Sequence, residues 1–154
     1  MGIIEKSDLD SQIKQLKEQE NSIVFTNGCF DLLHKGHIDL LNKASTFGDI
    51  LIVGLNSDNS VKTLKGKGRP IENEITRLKK LLEISNIDFV IIFNSETPKD
   101  LIIKIMPDVL VKGGDYKRND IVGSNEVISA GGKVKIVPLT EGYSTTSIIK
   151  SKKV

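Results

Sequence analysis

The sequence predicts a doubly wound α/β fold, in which five parallel strands form one sheet with helices on both faces. Short runs rich in Val and Ile alternate with longer amphipathic segments, and this alternation occurs five times along the chain. Strands of a parallel sheet are covered on both faces, so they read as continuous apolar runs. Consecutive parallel strands need crossover connections, so the intervening segments are predicted to be helices packed on the sheet.

The strands and helices of the sheet domain follow from these runs. The predicted strands are SIVF at 22–25, DILIVGL at 49–55, DFVIIF at 88–93, DVLVK at 108–112 and KVKIVPL at 133–139. The predicted helices cover 36–47, 74–85, 98–105 and 121–130, and a last helix begins at about residue 145. No linker, repeat or low-complexity tract separates these elements. Residues 22–154 are therefore expected to form one domain.

A further helix is predicted ahead of the first strand, over residues 8–20. Leu9, Ile13 and Leu16 lie on one stripe of this helix, as in an amphipathic helix that packs on a core. Residues 1–21 are therefore expected to form a helical extension packed against the outside of the domain.

Composition excludes several classes of protein. The chain has 154 residues, of which 38% are hydrophobic and 27% charged, as in an ordinary globular domain. Lys and Arg number 22 against 20 Asp and Glu, so neither nucleic acid nor an anionic membrane is expected as a partner. No apolar run approaches the roughly 20 residues of a membrane span. A single cysteine, Cys29, cannot form an internal disulfide, and a reducing cytoplasm is the expected compartment.

The segment NGCFDLLHKGHIDLL contains both histidines of the chain, His34 and His37. It links a strand to a helix, and ligands of open parallel sheets bind at that end of the strands. Two imidazole donors beside a helix N-terminus favour a phosphate, and Gly36 between them lets it approach the backbone. The alternatives are a helix cap or, with Cys29 and Asp31, a zinc site, although the spacing matches no common zinc motif.

A second basic segment, KTLKGKGRP, follows the second strand. Lys62, Lys65, Lys67 and Arg69 surround its two glycines. The segment is expected to close over bound phosphates as a mobile loop, although such a pattern is also typical of a solvated turn. It is neither a P-loop nor a dinucleotide-binding fingerprint.

TNGCFDLLHKGHIDLL resembles the HxGH signature of nucleotidyltransferases of the cytidylyltransferase-like superfamily. A second segment, EGYSTTSIIK at 141–150, resembles the Ser/Thr-rich motif that precedes the last helix of that family. The similarity continues through GDILIVGLNSD, LKGKGRP and PDVLVKGGDY. Together these segments most resemble the adenylyltransferase domain of the bifunctional heptose enzymes of lipopolysaccharide precursor synthesis. The resemblance covers about residues 22–151 and implies a Rossmann-like sheet.

The resemblance implies transfer of AMP from ATP to a heptose 1-phosphate, which gives ADP-heptose and pyrophosphate. A phosphate nucleophile is already ionised, so catalysis depends on positioning and on neutralising charge rather than on a general base. The resemblance further implies Mg²⁺ with the triphosphate, ATP and the sugar phosphate as small-molecule partners, and a homodimer.

Roles of particular residues also follow from the resemblance. Those expected to be catalytic are His34, His37 and Lys65. Those expected to bind the nucleotide are Thr26, Asn27, Gly28, Cys29, Phe30, Gly36, Lys112, Gly113, Gly114, Ser144, Thr145 and Thr146. Those expected to bind the second substrate are Asp31, Asp58, Arg69, Arg77 and Asp115. No side chain is expected to be a direct metal ligand.

Some of these residues also have simpler interpretations. Arg77 stands three residues after Glu74, at the spacing of an exposed helical ion pair. The hydroxyls at 144–146 also suit a helix cap. Asp31 and Asp58 suit indirect binding of magnesium or of the ribose.

Other functions are open from the sequence. The chief alternative is glycerol 3-phosphate with CTP, because HKGHIDLL and TEGYSTT are also similar to those cytidylyltransferases. That group carries an arginine directly before its TEG element, where this chain has Leu139. A non-catalytic nucleotide-binding module of the same fold would have little reason to keep both histidines and the hydroxyl cluster. A dinucleotide-binding oxidoreductase would carry a glycine-rich fingerprint after the first strand, which this chain lacks.

Overall fold

The computed structural model describes residues 2–114, 117 and 120–138. Its centre is one sheet of six strands in the order β1-β4-β3-β2-β5-β6, and each neighbouring pair is parallel. The strands are β1 Gly2–Ile3, β2 Ile23–Gly28, β3 Ile50–Asn56, β4 Phe89–Phe93, β5 Val109–Gly113 and β6 Lys133–Val137. The predicted α/β fold with a parallel sheet is confirmed.

Helices connect these strands. A short 3₁₀ turn at Lys6–Asp8 precedes α1 Leu9–Glu18, and the later helices are α2 Lys35–Ser45, α3 Asp58–Lys65, α4 Glu74–Leu82, α5 Lys99–Ile105 and α6 Ser124–Ser129. Within the described ranges, none of the helices has the length and apolar content needed to cross a bilayer. The helix predicted from about residue 145 lies outside the described residues.

The sheet is covered on both faces. Successive residues of a strand point to opposite faces, and two hydrophobic clusters result. Phe25 and Ile52 pack with apolar side chains of α1, α5 and α6. Val24 and Val53 pack with those of α2 and α4. Helices on both faces give the doubly wound arrangement that the apolar runs predict.

The sheet has a sixth strand that the sequence does not reveal. Gly2 and Ile3 pair with Phe89 and Val90 at one edge of the sheet. Two residues are too few to show any periodicity. The N-terminal segment therefore contributes a strand as well as helix α1, whose Leu9, Ile13 and Leu16 are buried.

The basic segment after β3 is partly helical, which differs from the mobile loop expected there. Helix α3 includes Lys62 and Lys65, and the Ser57 side chain caps it by accepting a hydrogen bond from the Ser60 backbone N–H. The sequence does not predict α3 because Val61 is its only buried apolar side chain. Lys65 is thus the last residue of a helix rather than part of a loop.

Carboxylates at the amino ends of three strands hold the register. Asp108 accepts a hydrogen bond from the Ile23 N–H at 2.7 Å, and Asp88 accepts one from the Leu51 N–H at 2.8 Å. Asp49 accepts a third from the Ser22 N–H at 2.9 Å. Fixing these ends also fixes the relative positions of the opposite, carboxyl ends.

We expect Gly54→Ala to destabilise the fold, because Gly54 lies in β3 directly against β2. A Cβ at Gly54 would stand 2.7 Å from Cζ of Phe25, which is fully buried. Overpacking of this kind costs about 1–3 kcal/mol of unfolding free energy. Urea denaturation measures the loss. Lys133→Ala, at an exposed position of β6, is the control and should change stability by less than about 0.5 kcal/mol. Equal stability of the two variants would contradict the packing argument.

Candidate active site

A cavity of about 400 Å³ opens at the carboxyl ends of the central strands. It is lined by Asn27, Gly28, Cys29, Phe30, Asp31, His37, Asn56, Leu64, Lys65, Arg69, Glu96, Thr97, Pro98, Lys112 and Val122. A second cavity, of about 460 Å³, includes Ser22 and Asp108 at the amino ends of the strands. Because ligands of parallel α/β sheets bind beyond the carboxyl ends, the first cavity is the candidate active site.

The two histidines cap each other at the start of α2. His34 Nδ1 accepts a hydrogen bond from the His37 backbone N–H at 3.4 Å, and His37 Nδ1 accepts one from the His34 backbone N–H at 3.2 Å. The rings stack with centroids 3.8 Å apart. Since both Nδ1 atoms accept, the proton of each neutral ring lies on Nε2. The helix cap thus sets the tautomer that leaves Nε2–H as a donor for an anion.

Burial keeps these rings neutral. It lowers the pKa of His37 to about 4, with further lowering by the nearby His34 and Lys65. Burial also lowers the pKa of His34. At neutral pH both histidines are therefore uncharged donors, and they avoid repulsion from the lysine that shares the cavity.

The turn between β2 and α2 is strained and tightly packed. Phe30 and Leu32 have positive φ angles of 48° and 55°, which non-glycine residues adopt rarely. The Phe30 ring meets the His37 ring edge to face, with centroids 5.4 Å apart, and a Cβ at Gly28 would stand 3.0 Å from the Phe30 ring. Gly36 is buried in the first turn of α2. This packing orients the His37 ring towards the cavity.

Asp31 holds the segment that follows α3. Its side chain is buried, and its oxygens accept hydrogen bonds from Arg69 Nε at 3.1 Å, the Ile71 N–H at 2.8 Å and the Glu72 N–H at 2.9 Å. Burial alone would raise the pKa of Asp31, but these hydrogen bonds outweigh it and lower the pKa. Asp31 was expected to bind substrate; its contacts make it a positioning residue for residues 69–72.

Arg77 is also used within the protein, although it was expected to contact the substrate phosphate. It is fully buried, and Nη1 donates to the carbonyls of Cys29 at 2.8 Å and Asn56 at 2.7 Å. Nε donates to the Glu72 carbonyl at 2.9 Å, and Nη2 donates to Asp58 Oδ1 at 2.8 Å. Arg77 therefore joins the ends of β2 and β3 from inside the protein. Its ion-pair partner is Asp58 rather than Glu74, and its side chain is not placed to contact a substrate phosphate.

Thr26 lies in the sheet rather than in the cavity. Its side chain is fully buried, and its hydroxyl donates to the Val111 carbonyl at 2.9 Å. Thr26 was expected to bind the nucleotide. Its hydrogen bond instead joins β2 to β5.

The remaining cations of the cavity come from three separate elements. Lys65 ends α3, Arg69 follows it, and Lys112 lies in β5. Burial lowers the pKa of Lys112 and raises that of the neighbouring Cys29 thiol. Within the described ranges, Nη2 of Arg69 is buried and has no hydrogen-bond partner. An anion in the cavity is the natural partner for that donor.

Several expected site residues lie elsewhere or outside the described residues. Gly113 ends β5, and Gly114 follows with a φ of 113°, which favours glycine. The residues outside the described part are Asp115, Ser144, Thr145 and Thr146.

The cavity also includes residues that the sequence analysis missed. They are Asn56, Leu64, Glu96, Thr97, Pro98 and Val122. The segment NSETP directly follows β4, so its position at a strand's carboxyl end was the available signal. No charge cluster or glycine pattern marks this segment, because it lines the cavity only through the position of β4 beside β3 in the sheet.

The described residues do not form a cage for a metal ion. In that part of the chain, no group of three His, Cys, Asp or Glu side chains gathers in a geometry that holds a metal. The zinc interpretation of His34 and His37 gives way to the mutual cap described above. Asp31 is committed to residues 69–72, and Asp58 pairs with Arg77.

A parallel α/β sheet with histidine and lysine donors at its carboxyl end is typical of a phosphate-binding α/β protein. The chain belongs to the cytidylyltransferase-like family, whose family model matches residues 25–151. The family assignment makes it an enzyme of the nucleotidyltransferase class.

The chain is similar to one part of much longer bacterial proteins. The bifunctional protein HldE of Histophilus somni is 50% identical over 149 residues, which are 97% of this chain and 31% of that protein. The bifunctional protein HldE of Koribacter versatilis is 51% identical over 148 residues, which are 96% of this chain and 30% of that protein. The chain thus spans about a third of these relatives, and the resemblance predicted from the motifs is confirmed.

Solved structures agree with the fold. A lipopolysaccharide core biosynthesis protein from Thermoplasma volcanium has a TM-score of 0.64 at 26% identity, over 80% of this chain and 99% of that one. A pantoate-β-alanine ligase from Francisella tularensis has a TM-score of 0.62 at 16% identity, over 99% of this chain and 77% of that one. The second likeness shows the shared fold alone.

The neutral state of His37 predicts a pH dependence of stability. The unfolded chain protonates His37 near pH 6.5, whereas the folded chain does so near pH 4. Between these values the unfolded state binds more protons, so the unfolding free energy falls as the pH is lowered. NMR of the imidazole C–H signals measures the pKa directly, and His37→Asn identifies the signal. A His37 pKa at or above 6.5 would contradict the buried neutral ring.

We expect Arg77→Met to lower the unfolding free energy by about 3–5 kcal/mol, because it leaves the buried Asn56 carbonyl, two partly buried carbonyls and Asp58 without their donor. Chemical denaturation measures the change. Lys79→Met removes an exposed cation from the same helix and is the matched control. If Arg77 mainly bound substrate, Arg77→Met would keep its stability and lose only substrate affinity.

Proposed function

We propose that the protein transfers AMP from ATP to a heptose 1-phosphate and releases pyrophosphate. One observation carries the proposal: His37, a neutral ring capped by His34 at the start of α2, lines a cavity that also contains Lys65 and Arg69. Directional donors beside fixed cations suit a reaction in which negative charge moves between phosphoryl oxygens. The heptose assignment is supported by LKGKGRP, VKGGDY and EGYSTTSIIK occurring together and by the identity to proteins named HldE.

The proposed reaction is an in-line displacement at phosphorus. An oxygen of the sugar phosphate forms a bond to the α-phosphorus of ATP, and the bond from that phosphorus to the bridging α–β oxygen breaks. Pyrophosphate leaves with the electron pair of that bond. The nucleophile is ionised beforehand, so no side chain must remove a proton.

In this proposal the cavity residues position the phosphates and neutralise their charge. His34 and His37 donate from Nε2 to phosphoryl oxygens, and Lys65 and Arg69 compensate the negative charge that builds on them. Nucleotide contacts are proposed for Asn27, Gly28, Cys29, Phe30, Gly36, Lys112, Gly113 and Gly114. Ser144, Thr145 and Thr146 are proposed to hold the β- and γ-phosphates, and Asp115 the sugar hydroxyls.

Magnesium is proposed to arrive with the nucleotide as MgATP. Because no three His, Cys, Asp or Glu side chains of the described residues gather as a metal site, the triphosphate and water are the fitting ligands. A homodimer is proposed from the resemblance, and light scattering of the purified chain measures it.

A substrate panel tests the proposed function. We expect pyrophosphate release from MgATP with a heptose 1-phosphate, and a rate at least about a hundredfold lower for His37→Ala, the scale of losing one oxyanion donor. CTP with glycerol 3-phosphate is the rival pair, because the family is named for cytidylyl transfer. Preferential formation of CDP-glycerol would overturn the heptose assignment. A near-normal His37→Ala rate would remove that histidine from the mechanism.

A further inference from the structure

The active-site cavity has two walls of different chemistry. Lys65 and Arg69 form a cationic wall with the uncharged His37 beside them; His37 lies at the start of α2, Lys65 ends α3 and Arg69 precedes α4. Glu96, Thr97 and Val122 line the cavity from segments that lead into α5 and α6. Helices α2 and α4 cover one face of the sheet, whereas α5 and α6 cover the other. The cavity therefore lies between a side with His37, Lys65 and Arg69 and a side that carries the Glu96 carboxylate, and Lys112 of β5 also lines it.

Glu96 is the feature of the second wall that a phosphate site does not explain. Over the part of the chain that the structure describes, its exposed carboxylate makes no hydrogen bond or ion pair. Asp31, the other described carboxylate of the cavity, is held by hydrogen bonds from residues 69–72. A carboxylate facing a bound phosphate would repel it, since like charges at close range cost free energy. Glu96 instead suits a ligand group that donates hydrogen bonds.

Hydrogen bonds from the start of α3 anchor the loop that carries Glu96. Ser57 donates its hydroxyl to Asn94 Oδ1 at 2.6 Å, and Ser60 donates its hydroxyl to the Ser95 carbonyl at 2.8 Å. Thr97 Oγ1 accepts a hydrogen bond from the Lys99 N–H at 3.5 Å, which leaves the hydroxyl proton of Thr97 for a ligand. A loop fixed before binding loses little entropy when it contacts a ligand.

We propose that Glu96 and Thr97 determine specificity for the phosphorylated acceptor by binding its hydroxyl groups. The Glu96 carboxylate accepts hydrogen bonds from sugar hydroxyls, and the Thr97 hydroxyl donates one. Pro98 and Val122 supply apolar surface beside them, which fits the C–H face of a sugar ring. The acceptor class is therefore a polyhydroxylated sugar phosphate rather than a short phosphorylated alcohol. This inference rests on the proposed function, since it names the group that recognises the acceptor of that reaction.

Steady-state kinetics with MgATP and a heptose 1-phosphate test the inference. Glu96→Ala is expected to raise the KM for the sugar phosphate about tenfold or more, the scale of one hydrogen bond to a charged group, and Thr97→Val to raise it about threefold to tenfold, the scale of one neutral hydrogen bond. The KM for ATP should change by less than about twofold, a margin within the usual effect of a surface substitution. Thr97→Ser keeps the hydroxyl and is expected to restore the wild-type KM. Asp100→Asn is the matched control and should leave the KM for the sugar phosphate unchanged. Asp100 lies in α5, the helix that follows this loop, and lines a different cavity.

Each outcome decides a separate claim. If the wild-type protein turns over the sugar phosphate and the variants keep its KM, this inference fails and the proposed function stands. If the variants raise the KM for ATP as much as that for the sugar phosphate, Glu96 and Thr97 bind the ribose, and the inference is wrong. If the wild-type protein uses no sugar 1-phosphate, the proposed function and this inference fail together.

Discussion

The buried guanidinium of Arg77 is the constraint on which the active site depends. A guanidinium can leave water only if its donors are paired, because an unpaired buried charge costs several kcal/mol. Here the partners are the carbonyls of Cys29, which directly follows β2, and of Asn56, which ends β3, together with Glu72 and Asp58. The two central strand ends and the segment before α4 therefore have one relative arrangement. The floor of the cavity is set by this pairing rather than by contact with a ligand.

Glu72 extends that constraint to the cationic wall. Its backbone N–H donates to Asp31, its carbonyl accepts from Arg77, and its carboxylate accepts from the Leu32 N–H and pairs with Lys80. Residues 69–72 are thus tied to the turn before α2 at several points. The same turn carries the strained Phe30 and Leu32, and strain of this kind persists only where neighbouring contacts over-determine the backbone. The carboxylates near the site serve chiefly to hold its cations in position.

The sequence predicts the sheet and the strand end at which the cavity lies. It does not predict which polar residues of the site face the cavity and which bind the backbone. Buried strands and an HxGH turn have local signatures, so the parallel sheet and the placement of His37 at a strand's carboxyl end follow from pattern. The roles of Thr26, Asp31 and Arg77 do not, because polar residues that bind ligand and polar residues that bind backbone look alike in a sequence. The sequence does not predict Glu96 as a site residue for a related reason. Its segment lies at the cavity only because β4 pairs with β3.

The histidines and the cations contribute different properties to the site: direction from the imidazoles and positive charge from Lys65 and Arg69. A protonated His37 would lose the Nδ1 acceptor that caps α2 and would stand beside Lys65 as a second positive charge. Burial prevents this by lowering the pKa of His37 to about 4. The rings then supply direction, since a stacked and capped imidazole has one fixed Nε2–H vector, while Lys65 and Arg69 supply charge. In the proposed reaction this separation lets the site hold a polyanion without needing a proton from solvent.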